Sequence, residues 1–426
     1  MRDAEINEKH ARYMFPCVAN YYKTPLPIER GKGCYVYDYN GKEYLDFFGG
    51  ILTTVVGHCP EKLTARLSEQ LGTLWHASTL YPTGPMVDLA EKLARITPGR
   101  LQKSFFTCSG TEADETAVLL AKIHTSRHEI IALRNCYAGR SHLAIALTAQ
   151  SGWRLVGAQI PGIVHAHTPY CYRCALKLSY PACDLACARD IEELIQTVTP
   201  GKVAAFIAEP IQGVGGFVTP PPEYFQVAVE IVRRYGGLFI CDEVQTGYGR
   251  TGGTMWGIEH WGVEPDIMTM AKGSANGIPI GITIATPEVA DSFTGMSIST
   301  FGGNPISSLA CHGTIDMIEE GGLVEHTRIM GERLRERLLA MQERYPLIGD
   351  VRGMGLMQAI ELVRPGKEPA KAEILQLFEA TRERGLLIGK GGLYANVVRI
   401  APPLNVTPEE LDRGCDLLEA SFETIR

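Results

Sequence analysis

"GLFICDEVQTGYGR", Gly237 to Arg250, is the stretch from which the rest of the chain is best read. Leu238–Cys241 is an apolar run of strand length, and two carboxylates, Asp242 and Glu243, stand at its end before a glycine-studded turn. A run this short and apolar throughout predicts a strand buried on both faces, the habit of parallel sheets covered by helices. In open parallel sheets, ligands bind beyond the carboxyl ends of the strands. Asp242 therefore stands where a ligand would be met.

The same pattern repeats outward. "KSFFTC", "EIIALR", "KVAAFIAEP" and "DIMTMAK" are further strand-length apolar runs, separated by stretches of helical period such as "MVDLAEKLARI" and "EADETAVLLAKIHT". The alternation predicts an α/β fold with a mainly parallel central sheet and flanking helices over residues 60–310. Near the start, "CYVYDYNGKEYLDF" (Cys34 to Phe47) alternates apolar and polar residues around Asn40-Gly41, a hairpin signal. Long amphipathic helices and the strand "GLMQAIEL" follow Ser307. The chain ends, 1–59 and 311–426, are expected to form a smaller α+β domain.

The totals agree with this division and exclude other classes. At 426 residues the chain exceeds what one hydrophobic core usually supports. A net charge of −7 argues against a nucleic-acid surface. No apolar run reaches the roughly 18 residues of a membrane span, and Met1 to Pro16 lacks the apolar core of a signal peptide. A cytoplasmic protein is expected. Its 12 cysteines then call for burial, metal binding or redox chemistry, because stable disulfides are rare in that compartment.

The residues just after each apolar run carry the chemistry. They are Ser109, Gly110 and Thr111, then Tyr137, Glu209, Asp242 and Lys272. A lysine closing an apolar run is partly desolvated, which lowers its pKa and frees the amine for Schiff-base formation; alone it could equally be a surface lysine. An aspartate fixed at a strand end can hold the pyridine nitrogen of pyridoxal phosphate protonated, although Asp before a turn is also a common helix cap. Opposite charges about 4 Å apart at an effective dielectric of ~20 attract by ~4 kcal/mol before desolvation, enough to shift a pyridine's proton affinity by units. Gln245 can bond a ring oxygen. "SGTEADETAVLLAK" opens a helix from a glycine-containing turn, so its free N–H groups suit a phosphate, helped by Thr111; Ser109 with Glu112 also reads as a capping box. Tyr137 offers a face for stacking.

At these residues the chain resembles the class III pyridoxal-phosphate aminotransferases of fold type I. "LFICDEVQTGYGRTG" with "AKG" beyond it carries the resemblance, Lys272 standing thirty positions after Asp242. "RGKGCYVYDYNGKEYLDF", "GHCPEKL", "SGTEADETA", "EPIQGVGG", "STFGGNPIS" and "RIAPPLNVT" extend it along nearly the whole chain, in the family's order. The resemblance implies that Lys272 carries the cofactor as a Schiff base and shuttles the substrate Cα proton. It implies that Asp242 pairs with the ring nitrogen with support from Glu209, and that Gln245 bonds the phenolic oxygen. Ser109, Gly110 and Thr111 would cradle the phosphate and Tyr137 would stack on the ring. Thr300 would reach the phosphate of a neighbouring subunit, so a homodimer is implied. Arg399 would clamp the substrate carboxylate, which a bidentate guanidinium suits.

Departures from the family refine the expectation. Members acting on ornithine and 4-aminobutyrate carry a glutamate where this chain has Val214, so Arg399 should stay available to carboxylates. This favours an amino donor and a small keto acid, pyruvate or glyoxylate, as in the alanine–glyoxylate and ω-amine:pyruvate types. Ala138 replaces a usual histidine, and Ile51 is expected to line the pocket without charge. A phospho-lyase acting on an amino-alcohol phosphate would use the same residues and is the alternative. One stretch has no place in this chemistry. "YCYRCALKLSYPACDLAC" sets Cys171, Cys174, Cys183 and Cys187 in a C-x2-C-x8-C-x3-C pattern, which predicts a four-thiolate site for zinc or an iron–sulfur cluster. Unligated thiols, and a non-catalytic metal-binding scaffold, are the competing readings.

Overall fold

The computed structural model describes residues 2–18, 20–155, 157 and 160–425; positions 1 and 426, the outer limits of the two chain-end segments, lie outside these. A seven-stranded sheet runs in the order Lys103–Thr107, Gly281–Ala285, Ile267–Met270, Leu238–Asp242, Ala205–Ala208, Ile130–Leu133, Ile163–Ala166. Gly281–Ala285 is antiparallel to both neighbours, and the pairings from Ile267–Met270 onward are parallel. Ile130–Leu133, Ala205–Ala208 and Ile267–Met270 are buried at every position, as their unbroken apolar runs require. The reading of apolar runs omits Ile163–Ala166 and Gly281–Ala285. The first carries a histidine and is only partly buried, and the second follows a Gly-Ile-Pro-Ile-Gly stretch that punctuates the pattern.

Helices close both faces of this sheet. Tyr224–Arg234 buries Tyr224, Phe225, Ala228, Val229, Ile231 and Val232, one stripe at helical spacing, while Arg233 and Arg234 close its last turn. Gly110–Thr125 packs across Ile267–Met270 and Gly281–Ala285 with Ala113, Ala117 and Ala121, small residues that let the helix lie close to the strands.

The predicted hairpin is present as Tyr35–Asp38 and Glu43–Asp46. Its turn is fixed by Asp38, whose Oδ1 accepts from the Asn40 and Lys42 N–H groups, and by Gly41 at φ 82°. A second sheet joins Ile348–Met354, Met357–Arg364, Val397–Ile400 and Gly389–Gly391. Leu45 and Phe47 of the hairpin share a core with Leu334, Leu338, Ile360 and Phe378 from the C-terminal part. The neighbouring Phe48 belongs to the core of the large sheet. The chain thus passes from one core to the other between two adjacent phenylalanines.

Candidate active site

The parallel topology brings the carboxyl ends of five strands to one rim, and the residues there enclose a cavity of about 290 Å³. Ser109, Gly110, Thr111, Tyr137, Glu209, Asp242, Gln245 and Lys272 all wall it. Of the sequence-derived candidates, Arg399, Ile51 and Thr300 do not.

At the end of Leu238–Asp242, strand alternation sends the two carboxylates to opposite sides. Asp242 meets the cavity, its Oδ1 accepting from the Val244 N–H at 2.9 Å. Glu243 turns into the core and accepts from the Gly257 and Ile258 N–H groups and from Thr246 Oγ1, so it is a structural anchor. Burial holds the Asp242 carboxyl above the ordinary carboxylate range, opposed by the Val244 N–H and the Lys272 amine. Lys272 follows Ile267–Met270 in the left-handed region at φ 45°, a strained conformation for a lysine that clusters at functional sites. Burial lowers the pKa of its amine, against the pull of Asp242 and Glu209.

Glu209 has both oxygens occupied by backbone. Oε1 accepts from the Tyr137 N–H at 3.2 Å and Oε2 from the Gly213 N–H at 2.8 Å, so it ties two rim loops together. Burial first, and Asp242 second, push its pKa up. Gln245 is buried, and its Oε1 has no hydrogen-bond partner among the described residues. A Cβ on Gly213 would fall 2.3 Å from the Gln245 amide, so only glycine lets the two pack.

The helix Gly110–Thr125 points its N-terminus at the cavity. Ser109 caps it, its Oγ accepting from the Glu112 N–H, while Glu112 Oε2 accepts from the Cys108 N–H; the cap and the cradle coexist at one turn. The first N–H groups of a helix have no partner within it, which makes this end an anion site. Gly139, at φ 130°, lies so close that a Cβ there would sit 2.1 Å from Thr111 Oγ1. Tyr137 packs edge-on to Trp153, with ring centroids 5.3 Å apart.

These residues fit pyridoxal phosphate. An open helix N-terminus suits the phosphate, the unpartnered Gln245 Oε1 suits a ring hydroxyl, and a buried aspartate suits a ring nitrogen. Arg399 is 3 % exposed, with Nε on Lys390 O at 3.0 Å and the guanidinium 4.7 Å over the Phe48 ring. It forms no ion pair among the described residues, and Val214 offers it none. Ile51 is 45 % exposed at φ 71°, and Thr53 takes the place in the wall expected of it. Thr300 is exposed in a separate depression with Thr107, Cys108 and Phe301.

Sequence reasoning missed Val244, Gly139 and Asp114, which also wall the cavity. Asp114 carried a signal: it stands four residues after Gly110, on the same helix face. Gly139 had none, because its close approach to Thr111 joins distant segments.

The four-cysteine metal site is not borne out. Cys171, Cys174, Cys183 and Cys187 line one small cavity of about 20 Å³, yet among the described residues no three His, Cys, Asp or Glu side chains come together to hold a metal ion. The loop is held by other means. Arg173 and Tyr170 bond the buried Glu361, Lys367 Nζ donates to Tyr172 O at 2.9 Å, and Tyr180 Oη reaches Glu223.

Comparison with known proteins gives the same direction. The family model for aminotransferase class-III matches residues 17–422. The chain is 42% identical over 420 residues to alanine–glyoxylate aminotransferase 2 homolog 2, mitochondrial, of Arabidopsis thaliana, covering 98% of this chain and 87% of the relative. It is 36% identical over 432 residues to the leucine/methionine racemase of Thermococcus litoralis, covering 100% and 96%. A thermostable (S)-enantioselective ω-transaminase from Thermomicrobium roseum superposes with a TM-score of 0.91 at 32% identity, covering 99% of this chain and 98% of that one. The phospho-lyase alternative finds no support among these matches.

Proposed function

Because the chain belongs to the class III aminotransferases and catalyses pyridoxal-phosphate-dependent transamination, we propose that it exchanges the amino group between an α-amino donor such as alanine and a small keto acid, pyruvate or glyoxylate. The observation that carries the substrate class is the buried Arg399, which has no ion-pair partner among the described residues. A buried guanidinium that forms no ion pair among the described residues suits a carboxylate in both half-reactions, and Val214 supplies no competing charge.

When bound, pyridoxal phosphate supplies the carbonyl that takes up an amino group and a ring that stores electrons. The chain's residues then have distinct tasks. Lys272 Nζ, its proton affinity lowered by burial, takes and returns the proton at the substrate Cα. Asp242 keeps a proton on the ring nitrogen, and the cation there would oppose the burial that raises its own pKa. Gln245 Oε1 accepts from the ring hydroxyl. The N–H groups of Gly110 and Thr111, with the Thr111 and Ser109 hydroxyls, hold the phosphate, and Tyr137 covers the ring. Glu209 positions the Tyr137 and Gly213 loops, which would flank the bound ring.

A homodimer completes this reading. Thr300 stands away from its own cavity, amid exposed apolar residues that include Leu119, Ile298 and Phe301. An exposed apolar patch of this kind marks an interface, and a second copy would carry its Thr300 to the phosphate. A cytoplasmic home, which twelve free thiols suit, is part of the reading. No helix among the described residues is long and apolar enough to cross a membrane.

The test is Arg399→Gln. Removing one partner of a buried charged pair costs about 2–5 kcal/mol, so KM for alanine and for pyruvate should both rise at least about thirtyfold. A neutral amine donor should be spared. An unchanged KM for both carboxylates would overturn the clamp.

A further inference from the structure

Three carboxylates, Asp114, Glu209 and Asp242, wall the cavity, and the reading above employs two of them. Asp114 stands one helical turn beyond Gly110, so the helix that presents its N-terminus to the cavity also carries this acid on the same face. It is 2 % exposed. Its Oδ1 lies 2.7 Å from Thr269 Oγ1, and Thr269 is the residue paired with Asp242 across the two parallel strands. Asp242, Glu209 and Lys272 are the charged groups that face it.

The charges in this space do not balance. Three ionised carboxylates against the ammonium of Lys272 would leave negative charge buried and unpaired, and such a group neutralises by keeping its proton. Arg399, the next cation, is directed to Lys390 O and, at 3.4 Å, to Gly213 O. The hydrogen bonds indicate which carboxylate yields. Glu209 accepts N–H groups at both oxygens, and Asp242 accepts the Val244 N–H. An N–H can only donate, so these contacts favour the anion. Asp114 instead meets a hydroxyl, which accepts as readily as it donates. The 2.7 Å contact is equally well made by an acid O–H donating to Thr269 Oγ1.

We propose that Asp114 is a neutral carboxylic acid that serves as a positioning residue: it locks Thr269 beside Asp242 and leaves the ring-nitrogen site with Asp242 as its ionised neighbour. Burial, with Asp242 as the nearest like charge, pushes the Asp114 pKa well above the ordinary range. The helix dipole works the other way, but its effect is modest and fades after the first turn. The functional consequence follows from placement. A second anion beside Asp242 would compete for the ring proton, whereas a neutral acid keeps the strand register without adding charge. This last point rests on the reading of Asp242 as the partner of the cofactor's ring nitrogen.

The experiment is infrared difference spectroscopy of the pyridoxal-phosphate-loaded enzyme at neutral pH, parent against Asp114→Asn and Thr269→Val. The parent should show a carboxylic-acid carbonyl band above the amide region. Asp114→Asn should abolish it, and Thr269→Val should move it, since the acid loses its hydroxyl partner. The pH at which the visible band of the bound cofactor titrates should stay put in Asp114→Asn, one neutral group replacing another. If Asp114 is ionised, no acid band is lost and that midpoint shifts by about one unit or more; either result overturns the proposal. The infrared band does not depend on turnover. Its loss in a protein that fails to transaminate would leave the protonation of Asp114 standing and sink the catalytic reading alone.

Discussion

Lys272→Ala is expected to lower turnover by about a thousandfold or more while leaving the fold intact. The amine is the group that both holds the cofactor covalently and moves the Cα proton, and positioned acid–base groups contribute about 10²–10⁴-fold on their own. Two features of the structure make a substitute improbable. The side chain is aimed by a left-handed backbone at φ 45°, and the carboxylates on the cavity wall already have tasks: Glu209 accepts from the Tyr137 and Gly213 N–H groups, Asp242 accepts from the Val244 N–H and Asp114 is bonded to Thr269. Pyridoxal phosphate should still bind, because the helix N-terminus and Gln245 remain, but it should be removable by gel filtration. Rescue by added methylamine would support the proton-transfer role. Parental turnover would exclude it.

Asp242→Asn is expected to have the second largest effect, about a hundredfold to a thousandfold on the amino-transfer half-reaction, with little change in cofactor retention. The asparagine keeps the shape of the strand end but cannot hold a proton on the ring nitrogen by charge. A stability measurement separates this from a folding defect. The folded pKa of Asp242 is raised to about 6 by burial, so between the unfolded value near 4 and that point the folded state binds the extra proton. Stability from this group is therefore lost as pH rises across that window and stays lost above it. Replacing the aspartate should raise, not lower, the melting temperature of the cofactor-free protein at pH 8. A large fall in melting temperature with unchanged chemistry would mean that Asp242 is a structural anchor like Glu243.

Much of this site was legible because parallel α/β topology makes position along a strand equivalent to position in space. Each apolar run ends at the same rim, so Thr111, Tyr137, Glu209, Asp242 and Lys272 could be grouped before any coordinates were known. Contacts that join different runs sideways were not legible. Gly139 needs its missing Cβ because Thr111 is there, and nothing in "YAGRS" announces that. For Asp114 the spacing from Gly110 gives the helix face, but its contact with Thr269 joins distant segments and is not written in that spacing. The cysteine pattern finds no support for a related reason. Spacing places four thiols in one loop and even around one cavity, but whether their sulfurs converge depends on how Arg173, Tyr170 and Glu361 pin the loop, which spacing does not encode.

The most direct test of the account is to add L-alanine alone, without a keto acid, to the cofactor-loaded protein and follow both the visible absorption and the products. The band of the aldehyde form is expected to disappear with release of one equivalent of pyruvate per site, and added glyoxylate or pyruvate is expected to restore it. A band that stays in place without pyruvate release, or the appearance of D-alanine in place of pyruvate, would contradict it.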